Sequence, residues 1–424
     1  MQSKFQKEIK ELLEKDIISA DVAERIDAYY TTNQSKSPNK LFTIFGVLGA
    51  ILTGLGIILI VAHNWDNFSR GIKTMFAFLP LIIGQGFVLF SLLKEKSAAW
   101  KESSGAFLFF AVGSSISLVS QIYNIPGDVS TFLLSWLALC LPVIYILRSK
   151  AMLLLHIVFM TYYAIEHADA FYGFASIPWY YILLLAAVLP FYLNLLKTQK
   201  DSNMVSIFNW LFPLSVSITL FTFFDEGYLW FMSYIFLFSV CYNIGKRPYF
   251  EDQKLRRNGY LIVGSLCVIS MLMFCTFKWT RKSLADFDWS NSYDLYVAMV
   301  LFAVALSLFL WHIFRANLKT VNLFQYVFLI FTVVFFIGQN NPITGTILSN
   351  ILVFILGLQA VKIGSDKMHF GILNYGLVII TVLVACRFFD TNISFVVRGL
   401  LFVSVGLGFF LANYLMLKKQ NSNR

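Results

Sequence analysis

Fourteen predominantly apolar stretches, each near the length of a membrane crossing, follow one another along this chain: 43–63, 74–93, 104–123, 130–147, 151–165, 179–196, 204–223, 229–245, 260–277, 295–314, 322–338, 343–361, 370–387 and 394–416. A hydrocarbon core about 30 Å thick needs about 20 such residues per helix. Strands of a membrane barrel would alternate apolar and polar positions over about 10 residues, and these runs do not alternate. The chain therefore reads as all-α, a polytopic transmembrane helix bundle of about 14 spans. Only 13% of its residues are charged and 58% are hydrophobic, whereas a soluble domain carries about 25% charged residues. A water-soluble enzyme, a disordered chain and a disulfide-stapled secreted module are excluded.

The spans leave room for three parts. Residues 1–40 form a cytoplasmic amphipathic helical hairpin and linker, with Ile9, Leu12 and Leu13 at helical spacing before a turn and Val22 and Ile26 after it. Ser19 reads as the N-cap of the second helix, with Asp21 near its positive end. Residues 41–417 form the transmembrane helical domain, and 418–424 a basic cytoplasmic tail.

Lys and Arg near span ends are retained on the cytoplasmic side. With the N-terminus inside, alternate loops collect 26 of the 33 basic residues on the inner face. Only Arg70, Lys73, Lys278, Arg281, Lys282, Arg387 and Arg398 fall outside. The alternation holds along the whole chain, so both termini are expected in the cytoplasm of a bacterial inner (plasma) membrane. The formal net charge of +10 then serves topology and contact with anionic lipid headgroups. Nucleic acid is not expected as a partner, because no soluble domain carries a basic groove. Cys140, Cys241, Cys267, Cys275 and Cys386 all lie in spans, with no C-x-x-C and no zinc spacing. No metal and no cofactor is expected.

Small residues mark close helix contacts in a membrane. Gly46, Ala50 and Gly54 stand four apart in the first span, and Ser404, Gly408 and Ala412 do so in the last; they read as packing faces or as a homodimer seam. A weak internal duplication is also visible. Ser120-Gln121-Ile122-Tyr123-Asn124-Ile125-Pro126-Gly127 closes span three, and Gly338-Gln339-Asn340-Asn341-Pro342-Ile343-Thr344-Gly345 closes span eleven. It suggests a 6+2+6 arrangement with parallel six-helix repeats, as in many transporters.

Polar groups at membrane depth are costly and mark function by default. Three constellations stand at outer helix ends. His63, Asn64 and Asp66 follow span one. Gln121 and Asn124 close span three, where Pro126 and Gly127 free backbone carbonyls. Arg387 and Asp390, spaced for a pair within one helical turn, lie near Arg398. Their shared depth places all eight in one outward-facing polar vestibule that binds substrate. His156, mid-span with an unperturbed pKa near ~6.5, is the candidate for proton linkage. Gln85, Asn209, Asn350 and Asn374 could coordinate polar solutes. No catalytic residue is assigned.

Ala62-His63-Asn64-Trp65-Asp66, Ser120-Gln121-Ile122-Tyr123-Asn124, Trp136 and Pro142, together with the N-terminal hairpin and its Ile17-Ile18-Ser19 turn, resemble the uncharacterised bacterial membrane-protein family DUF2157. The C-terminal Arg387-Phe388-Phe389-Asp390, Arg398-Gly399, Gly406 and Asn413 are also similar to the ends of such proteins. The resemblance implies a bacterial multi-pass inner-membrane protein and brings no reaction with it.

Two classes of function, and a third, fit this chain. A transporter or flippase fits the span count and the polar, broken helix ends. A non-catalytic membrane scaffold, recruiting a protein partner or a second copy through residues 1–40, fits the hairpin. An envelope lipid-linked glycosyltransferase could use Asp66, but the longest outer loop, about Lys278 to Asp294, is short for covering an acceptor. The balance favours a non-enzyme. Membrane lipids are expected partners in every case.

Overall fold

The computed structural model describes residues 9, 11–15, 17–26, 65–168, 176–224, 229–250, 252–277, 293–315, 321–390 and 395–422, with backbone alone for 293, 389–390, 395, 397–398 and 419–422. Among these are thirteen long helices: α1 (Arg70–Leu93), α2 (Ala98–Tyr123), α3 (Val129–Leu147), α4 (Lys150–His167), α5 (Trp179–Thr198), α6 (Asn203–Leu220), α7 (Trp230–Gly245), α8 (Gly259–Phe274), α9 (Tyr293–Arg315), α10 (Leu323–Asn340), α11 (Pro342–Asp366), α12 (Phe370–Asp390) and α13 (Phe395–Ser422). Each coincides with one expected span from the second to the fourteenth. The first run, 43–63, lies outside the described residues. Ten of the helices are long and apolar enough to cross a membrane by length and composition. This is a membrane-embedded, all-helical chain whose outer surface meets lipid. α13 runs on to Ser422, through part of the expected tail.

The chain divides into two compact units, Met1–Phe76 and Ala77–Arg424. In the first, residues 11–14 and 20–26 are helical. Trp65–Asn67 forms a 3-10 turn, and the Lys73 ammonium lies 5.7 Å above the Trp65 ring.

In the second unit α7 is the central element. Thirteen of its 16 residues are buried, as suits a helix that is apolar all round. It packs on α8 with almost no side chain between them. A Cβ on Gly264 would stand 2.5 Å from the Tyr242 nitrogen, and one on Gly245 would stand 2.6 Å from that of Leu261. Asn258 closes the junction. Its Oδ1 accepts from Leu261 N–H at 3.0 Å, and its Nδ2 donates to the Gly245 carbonyl at 2.8 Å. A second seam joins α11 to α12 through Gly364 and Gly376. Gly406 and Gly408 of α13 have nothing within 4 Å of a would-be Cβ. Of the small-residue face expected in the last span, Gly408 meets open space and Ala412 packs on Leu373, Leu377 and Met416, while single glycines on separate helices carry the close approaches.

Several inter-helix turns are fastened to one another, grouped by the side expected from the loop charges. On the basic side, Glu102 of α2 caps the N-terminus of α4, taking the Lys150 and Ala151 N–H groups at 3.0 and 2.7 Å and the Ser149 hydroxyl at 2.5 Å. Arg257 donates to the Asp201 carbonyl and to Asn203, and Gln253 reaches Asp201. On the opposite side the Ser130 hydroxyl meets His167 at 3.2 Å, and Arg387 meets Thr276. A carboxylate at a helix N-terminus and a guanidinium at a helix C-terminus both complement the helix dipole.

Candidate functional site

Helices α1, α2 and α3 enclose a half-open groove of about 930 Å³, within the range of small-molecule pockets. Its long walls are apolar, with Leu81, Leu108, Val112, Leu139 and Val143 facing it. One end differs: Ser120, Gln121, Asp128, Thr131 and Ser135 gather there. The stretch of α2 between Leu108 and Gln121 measures about 20 Å at the rise of an α-helix, roughly two-thirds of a hydrocarbon core. The trough is thus long and mostly apolar, with Gln85, Ser115 and Ser117 along it and the densest polar group at the Ser120–Ser135 end.

The polar tip is built by two caps. α2 ends with Asn124 in the left-handed region at φ 50°, a conformation Asn adopts at little cost. The Ile125 N–H reaches the Ser120 carbonyl at 2.9 Å and the Asn124 N–H that of Gln121 at 3.4 Å, the paired bonds of a helix C-cap. The Ser120 hydroxyl donates to the Ile125 carbonyl at 2.9 Å. The Ser120, Gln121 and Ile125 carbonyls are therefore occupied. The segment ending α10 is built otherwise: Asn341 caps α11 by accepting from Thr344 N–H, and Pro342 is its first residue. The two similar strings do not share a local structure.

Asp128 is the N-cap of α3. Its Oδ1 accepts from Thr131 N–H at 2.6 Å and from the Ser130 hydroxyl at 2.8 Å, and its Oδ2 from the Thr131 hydroxyl at 3.1 Å. These donors, the Thr131 amide first and the Ser130 hydroxyl next, hold the carboxyl below its ordinary 3.8. Asp128→Ala is expected to lower stability by roughly 1 kcal/mol, and Asp128→Asn by less, because the amide oxygen still caps. A carboxyl depressed in the folded state stabilises fully above its ordinary value, and the contribution is lost as pH falls through the folded value. Melting wild type and Asp128→Asn in detergent from neutral pH down through 3.8 should make their difference shrink; a constant difference would refute the cap.

Gln121 faces the groove with its side chain exposed and hydrogen-bonded to no described residue. Asn124 is exposed and serves the cap. Ser117, Thr131 and Ser135 line the groove without having been singled out from the sequence. Asp128, Thr131 and Ser135 stand three and four apart, which is one face of a helix.

The other expected site residues fall elsewhere. His63 and Asn64 lie outside the described residues, as do the side chains of Asp390 and Arg398. Asp66 is exposed in the 3-10 turn of the first unit. Arg387 donates to the Thr276 carbonyl at 3.0 Å and its hydroxyl at 3.1 Å, with the guanidinium 4.8 Å above the Phe277 ring. This places it at the C-terminal end of α8, where a cation meets unpaired carbonyls. Neither Thr276 nor Phe277 lines the groove.

His156 is buried between α3 and α4. Its Nδ1 lies 3.0 Å from the Met152 carbonyl and its Nε2 3.2 Å from that of Leu137, five residues before Pro142. Phe109 meets the ring edge-on at 5.5 Å. Three of the four amides read as solute ligands instead tie helices together. Asn209 accepts from Tyr192 and donates to the Arg257 carbonyl, Asn350 donates to that of Thr276, and Asn374 accepts from Asn413. Gln85 remains in the groove.

Residues 10–153 match the family described as a predicted membrane protein (DUF2157). The whole groove, from Phe78 to Val143, lies inside that stretch, which is similar to an uncharacterised family of membrane proteins. No curated protein and no solved structure matches the chain.

Proposed function

We propose that this chain is a transporter- or flippase-like protein of the bacterial inner membrane that handles amphiphiles through the groove of α1–α3. The observation that carries the reading is a mostly apolar groove whose polar lining is densest at one end, around Gln121, Asp128 and Thr131. An acyl or prenyl chain fits the trough. Asp128, kept ionised by its cap, and the free amide of Gln121 suit a headgroup rich in hydrogen-bond donors. In this proposal both termini are cytosolic, on the side of the basic turns, and the polar tip opens outward. Asp66, His63, Asn64, Asn124, Arg387, Asp390 and Arg398 enter as the wider outer vestibule. His156 enters as the proton-linked residue. A neutral imidazole has one N–H and an imidazolium two, so proton uptake there supplies a second donor where a carbonyl already waits.

Native mass spectrometry of the full chain, released from mild detergent, is expected to retain an amphiphile. Leu139→Trp, which fills the trough, and Gln121→Leu, which strips its tip, should each reduce that retention. In proteoliposomes the wild type should render labelled lipid of both leaflets accessible to an external quencher, and Leu139→Trp should not. Equal retention and equal accessibility in all three proteins would sink the reading. The exposed Leu12, Leu13, Ile17 and Val22 of the N-terminal helical segments favour recruitment of a protein partner as a second role.

A further inference from the structure

The basic side of the second unit holds a second polar cluster, remote from the groove's lining. Lys246 and Arg247 stand in the turn after α7, Arg315 ends α9 and Lys367 follows α11. The four are neighbours: Lys246 lies in the field of Lys367, Arg247 in that of Arg315, and His312 faces both Lys246 and Arg247. Among the described residues no carboxylate lies within 4.0 Å of any of them; the ion pairs found are Lys15–Glu11, Arg25–Asp21 and Lys200–Asp252. Like charges so gathered repel, and the cost grows as water is withdrawn.

Lys246 and Arg247 are half-buried and Arg315 and Lys367 exposed, and three of the four lie over aromatic rings. The Arg247 guanidinium stacks 3.5 Å from the centre of the Trp311 ring, and that of Arg315 lies 5.0 Å from the same ring. Lys246 sits over Tyr242 at 5.7 Å. The Tyr242 hydroxyl accepts from Asn322 at 3.0 Å, the Asn322 N–H donates to the side chain of Gln325, and Asn243 donates to the Gln325 carbonyl at 2.9 Å. The Asn243 carbonyl also accepts from the Lys246 N–H at 3.2 Å in the turn that closes α7. Within this linked set, buried atoms remain without a hydrogen bond to any described residue: Gln325 Nε2, His312 Nε2, Asn322 Oδ1 and Asn243 Oδ1. Gln325 is wholly buried. A buried donor left unpaired is costly, and the hydrogen-bonded set that holds Gln325 also carries Tyr242, over which Lys246 lies.

We propose that Lys246, Arg247, Arg315 and Lys367 form a binding site for a phosphate-bearing anion. A planar guanidinium fixed on an aromatic ring matches phosphate oxygens two at a time, and an ammonium adds a point charge. Basic pockets between helix ends take lipid headgroups in this manner, and a soluble phosphate ester offers the same oxygens. Burial, with Lys367 adding to it, brings the Lys246 amine down to about 8. Topology determinants need only lie on the correct side of the membrane; they need neither stacking nor burial.

The full-length protein provides the test. Inorganic phosphate is titrated against it in a neutral detergent while its melting is followed. In parallel it is placed in nanodiscs of phosphatidylcholine alone or with phosphatidylglycerol, and retained phospholipid is read by native mass spectrometry. Stabilisation by phosphate in detergent marks a soluble ligand; retention of phosphatidylglycerol without a phosphate response marks a headgroup. In either arm Lys246→Gln and Arg247→Gln should weaken binding by about tenfold or more, the scale of one charge-assisted contact. Arg247→Lys, which keeps the charge and loses the fork, should also weaken it. Lys200→Gln, on the same side but paired to Asp252, should leave it unchanged. If a Gln variant fails to fold, the wild-type titrations and Arg247→Lys decide. Binding in neither arm, or an equal loss with Lys200→Gln, overturns the site.

Discussion

Gly364→Leu is expected to part α11 from α12 and to cost about 3 kcal/mol or more, at or beyond the upper end of ordinary overpacking. A Cβ at residue 364 would stand 2.2 Å from the Leu373 nitrogen and 2.5 Å from its Cα. Those are main-chain atoms, and no rotamer change moves them aside. Gly376 answers from the facing helix, where a Cβ would lie 2.5 Å from the Val361 nitrogen and 2.6 Å from the Gly357 carbonyl. In a bilayer no hydrophobic force holds two helices together, so this contact between backbones carries much of their association. Gly408→Leu is the control, because open space surrounds that position. Melting curves in one detergent should place Gly408→Leu with the wild type and Gly364→Leu far below. Coincident curves for all three would show that the seam is not what joins α11 to α12.

The second large effect is expected at Trp136. Its ring lies 4.7 Å from Phe159, 4.9 Å from Phe109 and 5.4 Å from Phe132, and its indole N–H donates to the Phe109 carbonyl at 2.7 Å. Gly113 lies against the ring, where a Cβ would come within 2.4 Å of Cε2. Trp136→Ala opens a cavity where α2, α3 and α4 meet and should cost about 3–5 kcal/mol. Trp136→Phe keeps most of the packing and drops the hydrogen bond, a loss of about 1 kcal/mol. Denaturant or thermal unfolding of the two variants separates the terms. Equal losses would assign the whole effect to the hydrogen bond.

Hydropathy made the helices legible because a bilayer imposes length and composition on each span separately. From α1 onward the helices fall on the expected runs, and the disagreements are at ends, such as the extra turn before residue 104 that carries Glu102. How the helices pair was not legible, because a few atoms far apart in sequence decide it. Gly245 and Gly264, or Gly364 and Gly376, form no four-residue pattern within one span, and the pattern that was present leaves Gly408 in open space. The role of Glu102 depends on a helix start almost fifty residues away. Polar residues were found readily but their tasks were not: Asn209, Asn350 and Asn374 look alike as amides within spans, and only their partners across helices reveal that they fasten the bundle. The groove was half visible. Gln121 drew notice beside Pro126 and Gly127, whereas Thr131 and Ser135 looked like ordinary span residues until α3 turned that face toward α2.

α7 has 16 residues, about 24 Å of helix, while its neighbour α9 has 23, about 34 Å. Lys246, at the end of the shorter helix, accordingly draws level with His312, nearly one turn before α9 stops at Arg315. Protein surrounds much of the Lys246 amine there, so added salt should mask it less than it masks the exposed Lys197 or Lys418. Its pull on a passing anion therefore outlasts ionic strengths that silence the surrounding lysines.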